Sequence, residues 1–136
     1  MRSILCISHG LYAKEFKESL KMISGPVENL YSCCFLQNDG PAEFTEKLKD
    51  TLQQLEKYDE IIVFADLFGG SPCNTAFEAL FSDERIKLIA GMNFPMVLTA
   101  LLCEDVSIED LIEEGKNGII DVRHYMSRTN ADCDDD

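Results

Sequence analysis

Ile61-Ile62-Val63-Phe64-Ala65-Asp66-Leu67-Phe68-Gly69-Gly70-Ser71-Pro72 is the stretch on which the fold turns. Its apolar half is too short for a helix and carries no polar alternation. It reads as a strand buried on both faces, the kind found in parallel sheets covered by helices. The run stops at an acidic residue and a glycine pair turns the chain. Ser71-Pro72 then reads as an N-cap followed by proline at the first helical position. A second stretch of the same design opens the chain: Ile4-Leu5-Cys6-Ile7-Ser8-His9-Gly10.

Working outward, strand-sized and helix-sized segments alternate from end to end. A strand over 3–8 is followed by a helix over 13–23, whose Ala13, Phe16, Leu20 and Ile23 fall at helical spacing. Gly25-Pro26 stops that helix. Then come a strand over 30–36, a helix over 42–57, the strand 60–65 and a helix over 73–81. A strand over 86–90, a mostly apolar helix over 95–103 and a helix that Ser107 opens and that ends near Gly115 complete the pattern. Residues 119–122 form a last short β-like run, and Gly115-Lys116-Asn117-Gly118 before it reads as a hinge. Alternation with short joins implies an α/β fold, an open, mainly parallel, doubly wound sheet with right-handed crossovers and helices on both faces. The expected strand order is 2-1-3-4, which makes the first and third strands neighbours.

Composition bounds the rest. At 136 residues the chain is one domain with room for a core. No apolar run is long enough to span a membrane, and no signal peptide opens the chain, so the cytoplasm is the expected compartment. A net charge of −13 argues against nucleic acid and anionic membranes. The acidic end, 126–136, reads as a frayed tail after a domain spanning 1–125. The six cysteines show no C-x-x-C spacing, and only His9 and His124 could join them, so neither a metal site nor a redox pair is expected. They read as inert thiols. His124, beside Arg123 and without a partner motif, reads as a surface residue.

In an open parallel sheet, ligands collect beyond the carboxyl ends of the strands at the point where the order reverses. That point carries His9 and Asp66. A carboxylate accepting from one ring nitrogen fixes the imidazole tautomer and leaves the other lone pair free to attack. Gly69 and Gly70 allow close backbone approach, and Ser71 begins a helix whose N-terminus favours an anion. The turn from Gly10 to Tyr12 offers a second helix start. An anion held there beside an oriented imidazole points to a phosphohistidine. No G-x-x-x-x-G-K-[ST] loop is present and neither motif holds a cation, so no nucleotide or other cofactor is expected. A partner protein would bring the phosphoryl group.

Ser8-His9-Gly10, the run from Asp66 to Asn74, and Gly91-Met92-Asn93-Phe94-Pro95-Met96, in this order, resemble the EIIA domain of mannose-type phosphotransferase-system (PTS) sugar transporters. The resemblance covers about residues 1–125. It implies that His9 takes a phosphoryl group from the phosphocarrier HPr and passes it to a separate EIIB component, linking indirectly to membrane EIIC and EIID. It also implies that Asp66 orients His9 and that Ser71 helps bind the phosphoryl group. The family often has a hydroxyl residue after the aspartate. Here Leu67 keeps only its backbone N–H for that purpose. A homodimer is implied too, with the 119–122 strand exchanged and antiparallel, and the apolar helix 95–103 is expected at the same interface.

Three other readings fit less well. The phosphotransfer subunit of dihydroxyacetone kinase resembles this pattern but lacks the Phe68-to-Asn74 run. Histidine phosphatases need an arginine where Ser8 stands. A receiver-like regulatory module, phosphorylated on Asp66, needs an acidic cluster after the first strand.

Overall fold

Parallel pairing of four strands in the order β2-β1-β3-β4 organises the computed structural model, which describes residues 1–134, with side chains for 1–128. The strands are β1 (Arg2–His9), β2 (Leu30–Phe35), β3 (Glu60–Ala65) and β4 (Ile86–Ala90). They alternate with α1 (Tyr12–Ser24), α2 (Pro41–Gln53), α3 (Ser71–Leu80) and α4 (Phe94–Leu102), followed by α5 (Ile108–Asn117) and α6 (Val122–Asp134). The expected strand order is the one observed.

The pleat divides each central strand between two cores. Ile4 and Cys6 of β1, with Ile62 and Phe64 of β3, face a layer that includes Leu20 of α1, Val97 of α4 and Leu111 of α5. Leu5 and Ile7, with Ile61, Val63 and Ala65, face Phe44 and Leu48 of α2 and Ala76 of α3. Every one of these side chains is completely buried. Apolar residues without alternation can be satisfied only by helices on both sides, hence the double winding.

Four expectations change. The helix read to residue 57 closes at Gln53, because Gln54 and Leu55 donate to Thr51 and Leu52, three residues back, in a tightened last turn. Leu55 stays buried, which is why its spacing read as helical. The apolar α4 is absorbed within the chain: Met96, Val97, Ala100 and Leu101 pack under α1 and α5, and Leu102 is the large side chain left exposed. Residues 119–121 form no strand. Asp121 is a helix N-cap, its Oδ1 accepting from His124 N at 3.2 Å and its carbonyl from Tyr125 N, so the chain enters α6 instead of extending. The segment read as a frayed tail therefore begins inside α6; Asp135, Asp136 and the side chains of Asp132, Cys133 and Asp134 lie outside the described residues. No helix of the described residues is long and apolar enough to cross a membrane.

Candidate active site

β1 runs on to His9 because β2 keeps pairing with it there, His9 opposite Phe35. β3 ends its pairing two residues earlier along β1, with Ala65 opposite Ile7. Asp66 is thus the first residue past β3, still tethered by its N–H to the Ile7 carbonyl at 3.2 Å. Its side chain reaches across to β1. Oδ2 accepts the His9 backbone N–H at 3.0 Å and lies 2.9 Å from His9 Nδ1. A carboxylate only accepts, so this contact assigns the ring hydrogen to Nδ1. One oxygen grips backbone and ring of the same residue, fixing the ring's direction as well as its tautomer. The His9 side chain remains 50% exposed against 15% for Asp66. Asp66 Oδ1 is buried without a hydrogen-bond partner among the described residues. The following residue, Leu67, offers no side-chain donor and stands exposed.

The second wall of the site is the turn from Leu67 to Gly70, closed by Gly70 N–H donating to the Leu67 carbonyl at 3.3 Å. Its third position needs a positive φ in a type II geometry, and Gly69 supplies φ +82°. Phe68, at the outer corner, is 85% exposed. Gly70 is the N-cap of α3 and lies against the imidazole. A Cβ placed on Gly70 would stand 2.6 Å from His9 Cε1 and 3.2 Å from Nε2. The start of α3 therefore borders the ring edge that Asp66 leaves free.

Two roles read from the sequence change in detail. Ser71 is the first helical residue, not the cap; Gly70 takes that position and no side chain caps α3. Proline follows at the second position, and Ser71 is exposed at the helix start. The amides of Gly10 and Gly70 are already engaged, Gly10 with the Phe35 carbonyl at 2.8 Å. These glycines contribute shape, while the orphan amides of the first turn of α3 remain as anion donors. His124 is exposed.

Ser8 and Asn74 went unread as functional residues. Ser8 Oγ, fully buried, accepts from Ala13 N at 2.6 Å and donates to the Gly10 carbonyl at 3.2 Å, so it holds the start of α1 in place of a cap. Asn74 Nδ2 donates to the Gly69 carbonyl at 3.1 Å. The signal for Ser8 was its polarity at the end of an otherwise apolar strand. Asn93 has a structural role: its Oδ1 caps α4 through Met96 N at 3.1 Å, and its Nδ2 donates to the Gly115 carbonyl of α5 at 2.7 Å.

Comparison with known proteins places the chain among relatives. The family model described as "PTS system fructose IIA component" matches residues 3–115. The "PTS system fructose-specific EIIA component" of Bacillus subtilis (strain 168) is 32% identical over 117 residues, covering 85% of this chain and 80% of that protein. The "PTS system sorbose-specific EIIA component" of Lacticaseibacillus casei is 30% identical over 110 residues, covering 80% and 79%. Among solved structures, the PTS IIA protein associated with the fucose utilization operon from Streptococcus pneumoniae shares this fold. It superposes with a TM-score of 0.85 at 24% identity, covering 92% of this chain and 96% of that one. The family match over residues 3–115, with relatives at 32% and 30% identity over most of both chains, shows that the chain belongs to the mannose-type EIIA family of the sugar phosphotransferase system.

Proposed function

We propose that this EIIA component works as a phosphohistidine carrier, with His9 Nε2 as the phosphoryl acceptor. The observation that carries this reading is the division of the imidazole: Nδ1 is held by Asp66 at 2.9 Å while the Nε2 edge faces Gly70, the N-cap of α3. The Nε2 lone pair attacks phosphorus. The bond from phosphorus to the donor breaks, and its electron pair leaves with the donor. Nδ1 keeps its hydrogen, so the ring gains positive charge, which the Asp66 carboxylate stabilises. Amides at the start of α3, with Ser71 and the turn amides of Leu67 and Gly69, receive the phosphoryl oxygens. Transfer to the acceptor reverses the step.

The donor in this reading is phospho-HPr and the acceptor an EIIB component, which connects the chain indirectly to membrane EIIC and EIID. The compartment is the cytoplasm, and one carrier domain spans 1–125. The same reading includes a homodimer. β4 is an edge strand, and an apolar groove of about 570 Å³ lies along it, lined by Phe68, Phe77, Phe81, Leu88 and Ile108. Ile119, Ile120 and Val122 are exposed beyond α5. Exposed edges and apolar patches of this kind are normally covered. The C-terminal segment of a second copy would cover both.

Incubation with phosphoenolpyruvate, Enzyme I and HPr tests the carrier role. One acid-labile, alkali-stable phosphoryl group per chain is expected, and none in His9→Ala. Label that persists in His9→Ala, or that survives acid and fails in base, would overturn it.

A further inference from the structure

Gly70, which lies against the imidazole, is joined to Gly69 by a peptide unit whose two polar ends are both fixed. The N–H of this unit donates to the Leu67 carbonyl at 3.3 Å, which closes the turn. The carbonyl of the unit accepts from Asn74 Nδ2 at 3.1 Å. Both residues of the unit are glycine, so no side chain restrains it, and glycine visits more backbone conformations than any other residue. The turn bond alone is long. Without Asn74 the unit would be free to swing about the φ and ψ of two glycines.

Asn74 is an exposed residue in the first turn of α3. The helix does not need its side chain: the Asn74 backbone N–H already donates to the Gly70 carbonyl at 2.9 Å. Nothing in the core depends on it either. Among the described residues, the one hydrogen bond its side chain makes goes to the Gly69 carbonyl, next to the Gly70 that borders His9. We infer that Asn74 is a positioning residue for phosphoryl transfer. It locks the Gly69–Gly70 peptide and thereby sets the distance between the start of α3 and the Nε2 edge of His9. It acts through the backbone and leaves the tautomer to Asp66. This inference rests on the carrier reading above.

The division of labour makes the role testable. Asn74→Ala removes the donor, and Asn74→Leu removes it while keeping the branched shape without adding charge. The full chain of each is phosphorylated from phospho-HPr at varied donor concentration, and the isolated phosphoprotein is then timed for spontaneous hydrolysis. Misplacement of a reacting group by a fraction of an ångström to one ångström costs on the order of ten- to a hundredfold. Both variants are expected to lose kcat in that range with KM for phospho-HPr unchanged. Their phosphohistidine should hydrolyse faster, while the nitrogen-15 spectrum of His9 keeps the Nδ1–H tautomer. A purely structural residue would leave phosphohistidine lifetime alone. Equal kcat and equal lifetime in parent and variants would overturn the role of Asn74 with the carrier reading intact. A parent chain that takes no phosphoryl group on His9 would overturn both together.

Discussion

At the scale of single residues, the site is two hydrogen bonds accepted by one carboxylate oxygen and one missing side chain. Gly70 has φ −76° and ψ 163°, which any residue can adopt. Gly70→Ala therefore costs the backbone little, and its effect should fall on the ring, 2.6 Å from the new Cβ. We expect transfer to drop by on the order of a hundredfold at near-parental melting temperature; parental transfer would mean that the ring does not use this wall. Asp66→Asn should slow transfer because an amide can turn its donor to Nδ1 and favour the other tautomer. The comparable loss in a Ser-His-Asp site is ~10⁴, and half-exposed His9 should show less. Ser71→Ala should leave stability unchanged, since Ser71 caps nothing, and reduce only the transfer rate. The imidazole and the carboxylate were legible in the sequence because strand ends in an open sheet meet at one place. The glycine against the ring was legible only as permission for close approach. Asn74 was not legible as a separate signal, because its partner is a carbonyl, and every residue has one.

At the scale of elements, the boundaries follow local chemistry that periodicity alone misses. Apolar spacing carried α2 through Leu55, whereas the backbone tightens at Thr51 and Leu52. The short apolar run 119–122 reads as β-like, whereas Asp121 caps a helix. Both misreadings weighed side-chain pattern above capping chemistry. Asn93 shows the converse: a motif residue near the site whose bonds are structural, to Met96 N and the Gly115 carbonyl. Loss of a cap costs ~1 kcal/mol and loss of a neutral hydrogen bond about another 1 kcal/mol. Asn93→Ala should thus lower unfolding free energy by roughly 2 kcal/mol in urea, with phosphoryl transfer unchanged. Slower transfer at unchanged stability would place Asn93 in the site instead.

At the scale of the whole molecule, burial on both sheet faces governs how stability responds to pH. Burial pushes the Cys6 thiol up to about 12 and the Cys33 thiol up to about 11, from 9.0. Tyr58 is raised in the same direction, mainly by desolvation. The unfolded chain releases these protons first. Stability is therefore complete below about pH 9 and is lost as pH rises toward 12. Urea unfolding across this window should show that decline, with a shallower slope in Cys6→Ala; parallel slopes would contradict the assignment. Assembly belongs to the same scale. Light scattering should give twice the chain mass, and truncation before Lys116 should dissociate or unfold the protein. A truncated chain that stays a folded dimer would exclude exchange of the C-terminal segment. The sheet order was legible because the sequence alternates with short joins. The burial of α4 was not, since an apolar helix is as well served by α1 and α5 as by a second copy.

In the proposed mechanism Asp66 holds Nδ1 so that Nε2 of His9 takes the phosphoryl group. Phosphorus and nitrogen-15 NMR of the phosphorylated chain, labelled at histidine, reads it directly. Phosphorus is expected on Nε2 of His9, with a hydrogen retained on Nδ1. Phosphorus on Nδ1, on His124 or on a carboxylate would contradict it.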